Sequence, residues 1–432
     1  MMPSPFLTVR TDRPLIPAGK PSTRYLLVRL GAPQAPPREG RAPVNVSLVL
    51  DRSGSMEDDR KFTLARRAVD QALGMLRSRD SFSVVVYDDR IDVLAPSSLA
   101  TDDAKQRALE ALDEIEPRGA TNLGAGWLRG CEQVASRLAR GEDGVSRCLL
   151  LTDGLANRGI QDRGELAVHA AELQSRGVAT STFGVGADFD ERLLRDMAHE
   201  GGGNFYFIEG AAQIPGILTS ELGEAIEVTV RRAALEITLP PGADAEPVSR
   251  FRHRRAHGDN ELRIDLGDLV SEQQMAVVIK VAMPAGETGA KADIGITVIG
   301  RGVVPTTAVA TLTYASDADD EAQPRDREVD REVARVYAAL ARAAAVEANR
   351  VGHFSEAAGK LQRVGANIAG YAGDDATLRR IASELQSSVM EFSAPLAAQR
   401  LKGHLFAAEN AVKSRDASGR AQKGPECKPP KP

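Results

Sequence analysis

The chain has little of what most often carries covalent chemistry. Cysteine occurs three times in 432 residues, at Cys131, Cys148 and Cys427. These are too few and too scattered for a disulfide framework or a zinc site. Cys131 and Cys148 stand in apolar stretches and read as buried thiols, which points to a reducing, cytoplasmic compartment. The six histidines include no pair at metal or general-base spacing. Aromatic residues make up only 4%, so any core must be mainly aliphatic. No apolar run is long enough to span a bilayer as a helix. Residues 1–15 show no basic region followed by an apolar core, so no secretory signal is expected there. An excess of positive charge is also missing: 55 Lys and Arg face 60 Asp and Glu, for a net charge of -5. Such a chain is a poor general ligand for nucleic acid or anionic membrane.

What remains is ordinary globular material, 42% hydrophobic and 27% charged. Its length suits about two to four domains. Residues 1–43 read as N-terminal strands followed by a Pro-rich loop. From residue 44 the pattern changes. Residues 46–50 form a short apolar run of the kind buried on both faces. Apolar residues at helical spacing follow over 62–76, then a strand over 81–87 and helices over 103–115 and 123–138. Strands over 147–152, 178–185 and 204–208 then alternate with helices over 163–175 and 189–199. This alternation predicts a doubly wound α/β unit with a mainly parallel sheet over residues 44–224. Over 225–315 the period is two, as in Leu235/Ile237/Leu239 and Ile294/Ile296/Val298, which predicts a β-sandwich of about six strands. The α/β unit is therefore either inserted in the sandwich, with the N-terminal strands as extra members of it, or simply followed by it. Residues 316–321 read as an acidic linker. Residues 324–413 read as a C-terminal helical region with an apolar stripe of Val329, Val333, Val336, Tyr337 and Leu340. Residues 414–432 read as a disordered tail.

Asp51-Arg-Ser-Gly-Ser55 directly follows the first apolar strand of the α/β unit. Alone, this pattern is weak, because Asp and Ser also cap helices. Its position strengthens it: open α/β sheets place their ligands at the carboxyl ends of their strands. Asp153 ends a second apolar strand, and Thr121 lies on a loop that opens a helix. Three loops at one rim would gather two carboxylates and three hydroxyls, with no His or Cys. Oxygen donors of this kind suit Mg²⁺, with Mn²⁺ and Ca²⁺ as alternatives, and not zinc. Two carboxylates match one divalent ion. Mg²⁺ usually keeps several waters, which leaves an exchangeable position for an Asp or Glu of another protein.

The set Asp51-x-Ser53-x-Ser55, Thr121 and Thr152-Asp153-Gly154 resembles the metal-ion-dependent adhesion site of von Willebrand factor type A domains. Phe183-Gly-Val-Gly186 and residues 201–208 look like the final strands of bacterial members. The resemblance covers about residues 44–224 and implies a Rossmann-like sheet. It also implies metal contacts from Ser53, Ser55 and Thr121, direct or water-mediated contacts from Asp51 and Asp153, and a partner carboxylate completing the coordination. The flanking regions look like those of intracellular bacterial relatives, some of which work beside ATPases or kinase–phosphatase modules.

The leading expectation is a non-enzymatic, metal-dependent protein-binding module that scaffolds an intracellular complex. The alternative is a substrate-docking subunit of a chelatase-like AAA+ ATPase or of a kinase/phosphatase system. A metal-dependent hydrolase ranks last, for want of a second-metal ligand set and a placed general base. Glu57, Asp58 and Asp59 read as exposed first-turn acids, and Asp88-Asp89 as a solvated turn. Residues 250–255 read as a charged hairpin loop, and Trp127 as core or interface.

Overall fold

The computed structural model describes residues 5–35, 40–139, 144–255 and 260–424. The chain divides into two compact units. One is built from the segments before residue 36 and after residue 228; the other comprises residues 36–228 with 418–420. The first unit opens the chain with β1 (Phe6–Thr11), β2 (Leu15–Pro17) and β3 (Ser22–Gly31).

The second unit is α/β. Its strands are β4 (Val44–Asp51), β5 (Ser81–Tyr87), β6 (Ile91–Leu99), β7 (Val145–Thr152), β8 (Ala179–Val185) and β9 (Gly202–Ile208). Its helices are α1 (Lys61–Met75), α2 (Asp102–Asp113), α3 (Leu123–Leu138), α4 (Arg163–Ser175), α5 (Glu191–Glu200) and α6 (Ile214–Ile226). The sheet order is β6-β5-β4-β7-β8-β9, parallel throughout except for the antiparallel edge strand β6. Every residue of β4, β5 and β7 is buried, as an apolar run demands when both sheet faces are covered. Asn122, Asp162 and Asp190 each accept a backbone N–H at the start of the helix they precede, which stops the strand-to-helix loops at defined points. Two elements depart from the sequence expectation. Strand β6 is a half-buried edge with no continuous apolar run, and α6 adds a helix that carries the unit to Ile226.

In the first unit, β10 (Val228–Thr238), β11 (Asp244–Pro247), β12 (Arg252–Arg255), β13 (Glu261–Val270), β14 (Gln274–Met283), β15 (Lys291–Arg301) and β16 (Thr306–Ala315) complete two sheets. One has the order β1-β3-β14-β11, the other β12-β13-β10-β15-β16-β2. Strand β3 therefore lies between β1 and β14, and the α/β unit is an insertion between β3 and β10. The apolar residues at 228–230 and 235–237 all lie in β10. They belong to one strand, bent at a bulge where Arg232 takes φ 53°. Leu26, Val28, Val277, Ile279, Ile294 and Ile296 are among the residues of the shared aliphatic core.

The expected acidic linker is instead a short helix, α7 (Asp317–Ala322), capped by Ser316 and bearing its acids in the first turn. Arg24 of β3 forms a partly buried ion pair with Asp320. Then follow α8 (Arg327–Arg350), α9 (Phe354–Ala372), α10 (Ala376–Phe392) and α11 (Ala398–Val412). The stripe of α8 packs Val329, Val333 and Val336 against Leu27 of β3 and Val278 of β14. The first part of the expected disordered tail is tied to the sandwich. Ser414 Oγ accepts from Ala276 N at 3.0 Å, and the Gln422 carbonyl accepts from Gln274 N at 2.8 Å. Residues 425–432, with Cys427, lie outside the described residues.

Candidate metal centre

Parallel register brings the pieces of the site to one rim. Asp51, the last residue of β4, pairs with Tyr87 of β5, while Leu50 pairs with Leu151 of β7. Asp51 and the Thr152-Asp153 pair therefore emerge side by side. The run after β4 turns into a 3₁₀ segment, Gly54–Arg60, which places Ser53 and Ser55 at the strand end. Asp51, Ser53, Thr121 and Asp153 are all buried, and Ser55 is exposed.

The five expected residues come together. Asp51 Oδ1 accepts from the Ser53 backbone N–H at 2.8 Å, and its Oδ2 accepts from Thr152 Oγ1 at 2.6 Å. Ser55 Oγ donates to Asp153 Oδ1 at 2.7 Å and lies 3.3 Å from Ser53 Oγ. A β-carbon placed on Gly154 would lie 3.6 Å from Thr121 Oγ1 and 3.8 Å from Ser55 Oγ, so these two hydroxyls flank the same glycine from different loops.

Four further residues shape the rim, and none was singled out for it from sequence. Asn157 fixes Thr121: its Oδ1 accepts from Thr121 N at 2.8 Å, and the Thr121 carbonyl accepts from Asn157 N at 3.1 Å. Arg52, in a variable position of the motif, is buried and donates from Nε to Asp88 Oδ2 at 3.1 Å. Asp88 is not a solvated turn residue; it is wholly buried and also accepts from Arg118 Nε at 2.9 Å. Burial pushes the Asp88 carboxyl up, but the Arg90 backbone N–H and the Arg118 and Arg52 guanidiniums outweigh it and hold it below the usual carboxylate value. Lys61 lies with Nζ 2.7 Å from Asp153 Oδ2. Asn157 follows Asp153 closely in sequence and was the most findable of the four. The others carry no spacing signal.

The donor set fits a hard divalent cation. It offers two carboxylates and three hydroxyls, all oxygen. Among the described residues there is no group of three or more His, Cys, Asp or Glu placed to hold a metal, so a cation at this rim would depend on the hydroxyls. Burial pushes the Asp51 carboxyl up to about 6; the Thr152 and Ser53 hydrogen bonds oppose the rise, and the Asp153 charge adds to it. Two buried carboxylates at one rim favour a positive charge beside them. Glu57, Asp58 and Asp59 are exposed and make no described contact with these five residues. Trp127 is buried, its Nε1 donating to Thr180 Oγ1 at 3.1 Å, and serves as core.

A family model described as the von Willebrand factor type A domain matches residues 45–220. YfbK of Escherichia coli is 27% identical over 255 residues, covering 58% of this chain and 43% of that protein. The protein sll0103 of Synechocystis is 25% identical over 274 residues, covering 61% of this chain and 63% of that protein. The chain thus spans less than two thirds of the length of either relative. Among solved structures, a von Willebrand factor type A protein from Catenulispora acidiphila superposes with a TM-score of 0.69 at 18% identity, covering 90% of this chain and 96% of that one. The matched span coincides with the inserted α/β unit, and the likeness in fold extends across sandwich and helices: residues 45–220 of this chain are a von Willebrand factor type A domain.

Proposed function

We propose that Asp51, Ser53, Ser55, Thr121 and Asp153 hold a Mg²⁺ ion, through which the α/β unit grips an Asp or Glu carboxylate of a partner protein. The observation that carries this reading is the meeting of Ser55 with Asp153, 2.7 Å apart across two strand-end loops. When bound, the ion supplies a Lewis-acidic position open to an anionic ligand. The protein's residues do the rest. Thr152 and the Ser53 N–H orient Asp51, Asn157 holds the Thr121 loop, and the three neutral hydroxyls are weak donors that leave the ion Lewis-acidic. A hard cation in such a shell takes a carboxylate oxygen readily at its exchangeable position. The role is non-catalytic scaffolding, and the free, buried thiols of Cys131 and Cys148 favour a reducing, cytoplasmic setting for it.

Calorimetric titration with Mg²⁺ tests the site, and capture from a native lysate tests the use. Wild-type protein is expected to give binding heat and to retain a partner in Mg²⁺ but not in EDTA. Asp51→Ala is expected to lose both. Capture that survives EDTA and Asp51→Ala alike overturns the reading. An ATPase retained with the partner favours the docking-subunit alternative.

A further inference from the structure

We infer that Lys61 is an internal counter-cation of the metal centre, neutralising Asp153 when no metal is bound and yielding to the metal when it binds. This rests on the Mg²⁺ reading above and adds its regulation. Two observations carry it. The first is contact geometry. Lys61 Nζ lies 2.7 Å from Asp153 Oδ2 and donates to the Ser55 carbonyl at 3.3 Å, so one ammonium bridges two of the three loops. The Asp153 side chain is 0% exposed and that of Lys61 13%. A buried carboxylate needs an opposite charge or dense hydrogen bonding. Asp51 has two such hydrogen bonds, while Asp153 has the Ser55 hydroxyl and Lys61.

The second observation is backbone conformation. Asp59 and Arg60, consecutive and both bearing β-carbons, take φ of 52° and 58°. This left-handed region is tolerated by Asp59 but costly for Arg60, and it persists where the surroundings demand it. Arg60 is the N-cap of α1, so the kink delivers Lys61, the first residue of that helix, to the rim. Lysine is a point charge on a flexible stem and can leave for solvent without moving the helix. A divalent cation bound by Asp153 would stand close to this ammonium and be repelled by it. Metal binding and the Lys61–Asp153 pair therefore compete, and Lys61 sets the metal affinity below what the oxygens alone would give.

The test compares wild type, Lys61→Gln and Lys61→Arg by Mg²⁺ calorimetry and by melting in EDTA and in Mg²⁺. Lys61→Gln is expected to bind Mg²⁺ about tenfold more tightly, or about 1.4 kcal/mol. It should also melt lower in EDTA and gain more from Mg²⁺ than wild type. Lys61→Arg, which keeps the charge, should stay near wild type. A second readout needs no variant: amine-reactive labelling of wild type, read by peptide mass spectrometry, should modify Lys61 faster in saturating Mg²⁺ than in EDTA. Unchanged or weaker Mg²⁺ affinity in Lys61→Gln, or Lys61 labelling indifferent to Mg²⁺, overturns the inference while leaving the metal centre standing. Wild-type protein that gives neither Mg²⁺ heat nor a Mg²⁺-dependent melting shift overturns the metal reading and this inference with it.

Discussion

Arg52 stands in the first variable position of the 51–55 run, yet it is buried, reaching Asp88 and also Asp92. Its backbone carbonyl accepts from Arg118 N at 2.7 Å, and the Asp88 carbonyl accepts from Asn122 N at 2.9 Å, so this pair braces both ends of the Thr121 loop. Arg52→Ala leaves Asp88 buried with only Arg118 as a cationic partner. A loss of about 3 kcal/mol in urea unfolding is expected, together with weaker Mg²⁺ binding in calorimetry although no donor oxygen is removed. Asp80 offers a pH test away from the rim. It is fully buried, and it accepts from Arg41, from Val44 N at 2.9 Å and from Arg77 N at 2.8 Å. Burial raises its carboxyl, but these donors win and hold it below 3.8. A depressed carboxylate contributes stability that is fully present above its unfolded value and is lost as pH falls through the folded one. Urea midpoints of wild type should therefore drop steeply below about pH 4, and Asp80→Asn should flatten that drop.

At the scale of elements, α3 depends on glycine. A β-carbon on Gly130 would lie 2.2 Å from Val49 Cγ2, and one on Gly126 2.4 Å from Tyr87 Cγ. In sequence these glycines look like weak points of a helix. In the structure they let α3 lie against β4 and β5 at close range. Gly130→Ala is expected to cost about 1–3 kcal/mol in thermal or urea unfolding by overpacking. Because α3 starts two residues after Thr121, the same substitution should also weaken Mg²⁺ binding. The helices and central strands were legible because their apolar period is local and repeated. Strand β6 was not, because an edge strand with one solvated face and a proline carries no continuous apolar run. Helix α7 was not, because its acids read as a solvated link until Ser316 caps them.

At the scale of the whole molecule, connectivity makes a sharp prediction. Residues 36–228 contain a sheet covered on both faces and should fold alone, with circular dichroism and gel filtration of a compact monomer. Residues 229–432 alone should not, because β1, β2 and β3 would all be missing, and with them the partner strand of β14 that supplies Leu26, Val28 and Leu30 to the sandwich core. Adding residues 1–35 back through a short linker should restore a folded species resistant to limited proteolysis. The amino-acid order by itself determined the alternation of strand and helix, the sandwich period and which five residues meet at the rim, since each is a local pattern or a residue at a strand end or helix start. It did not determine that β3 pairs with β14, that Asp88 is buried between Arg52 and Arg118, or that Lys61 meets Asp153. Those are pairings between residues far apart in the chain. A single ion pair or strand register has no period to read, and only the packed sheet brings its two halves within reach.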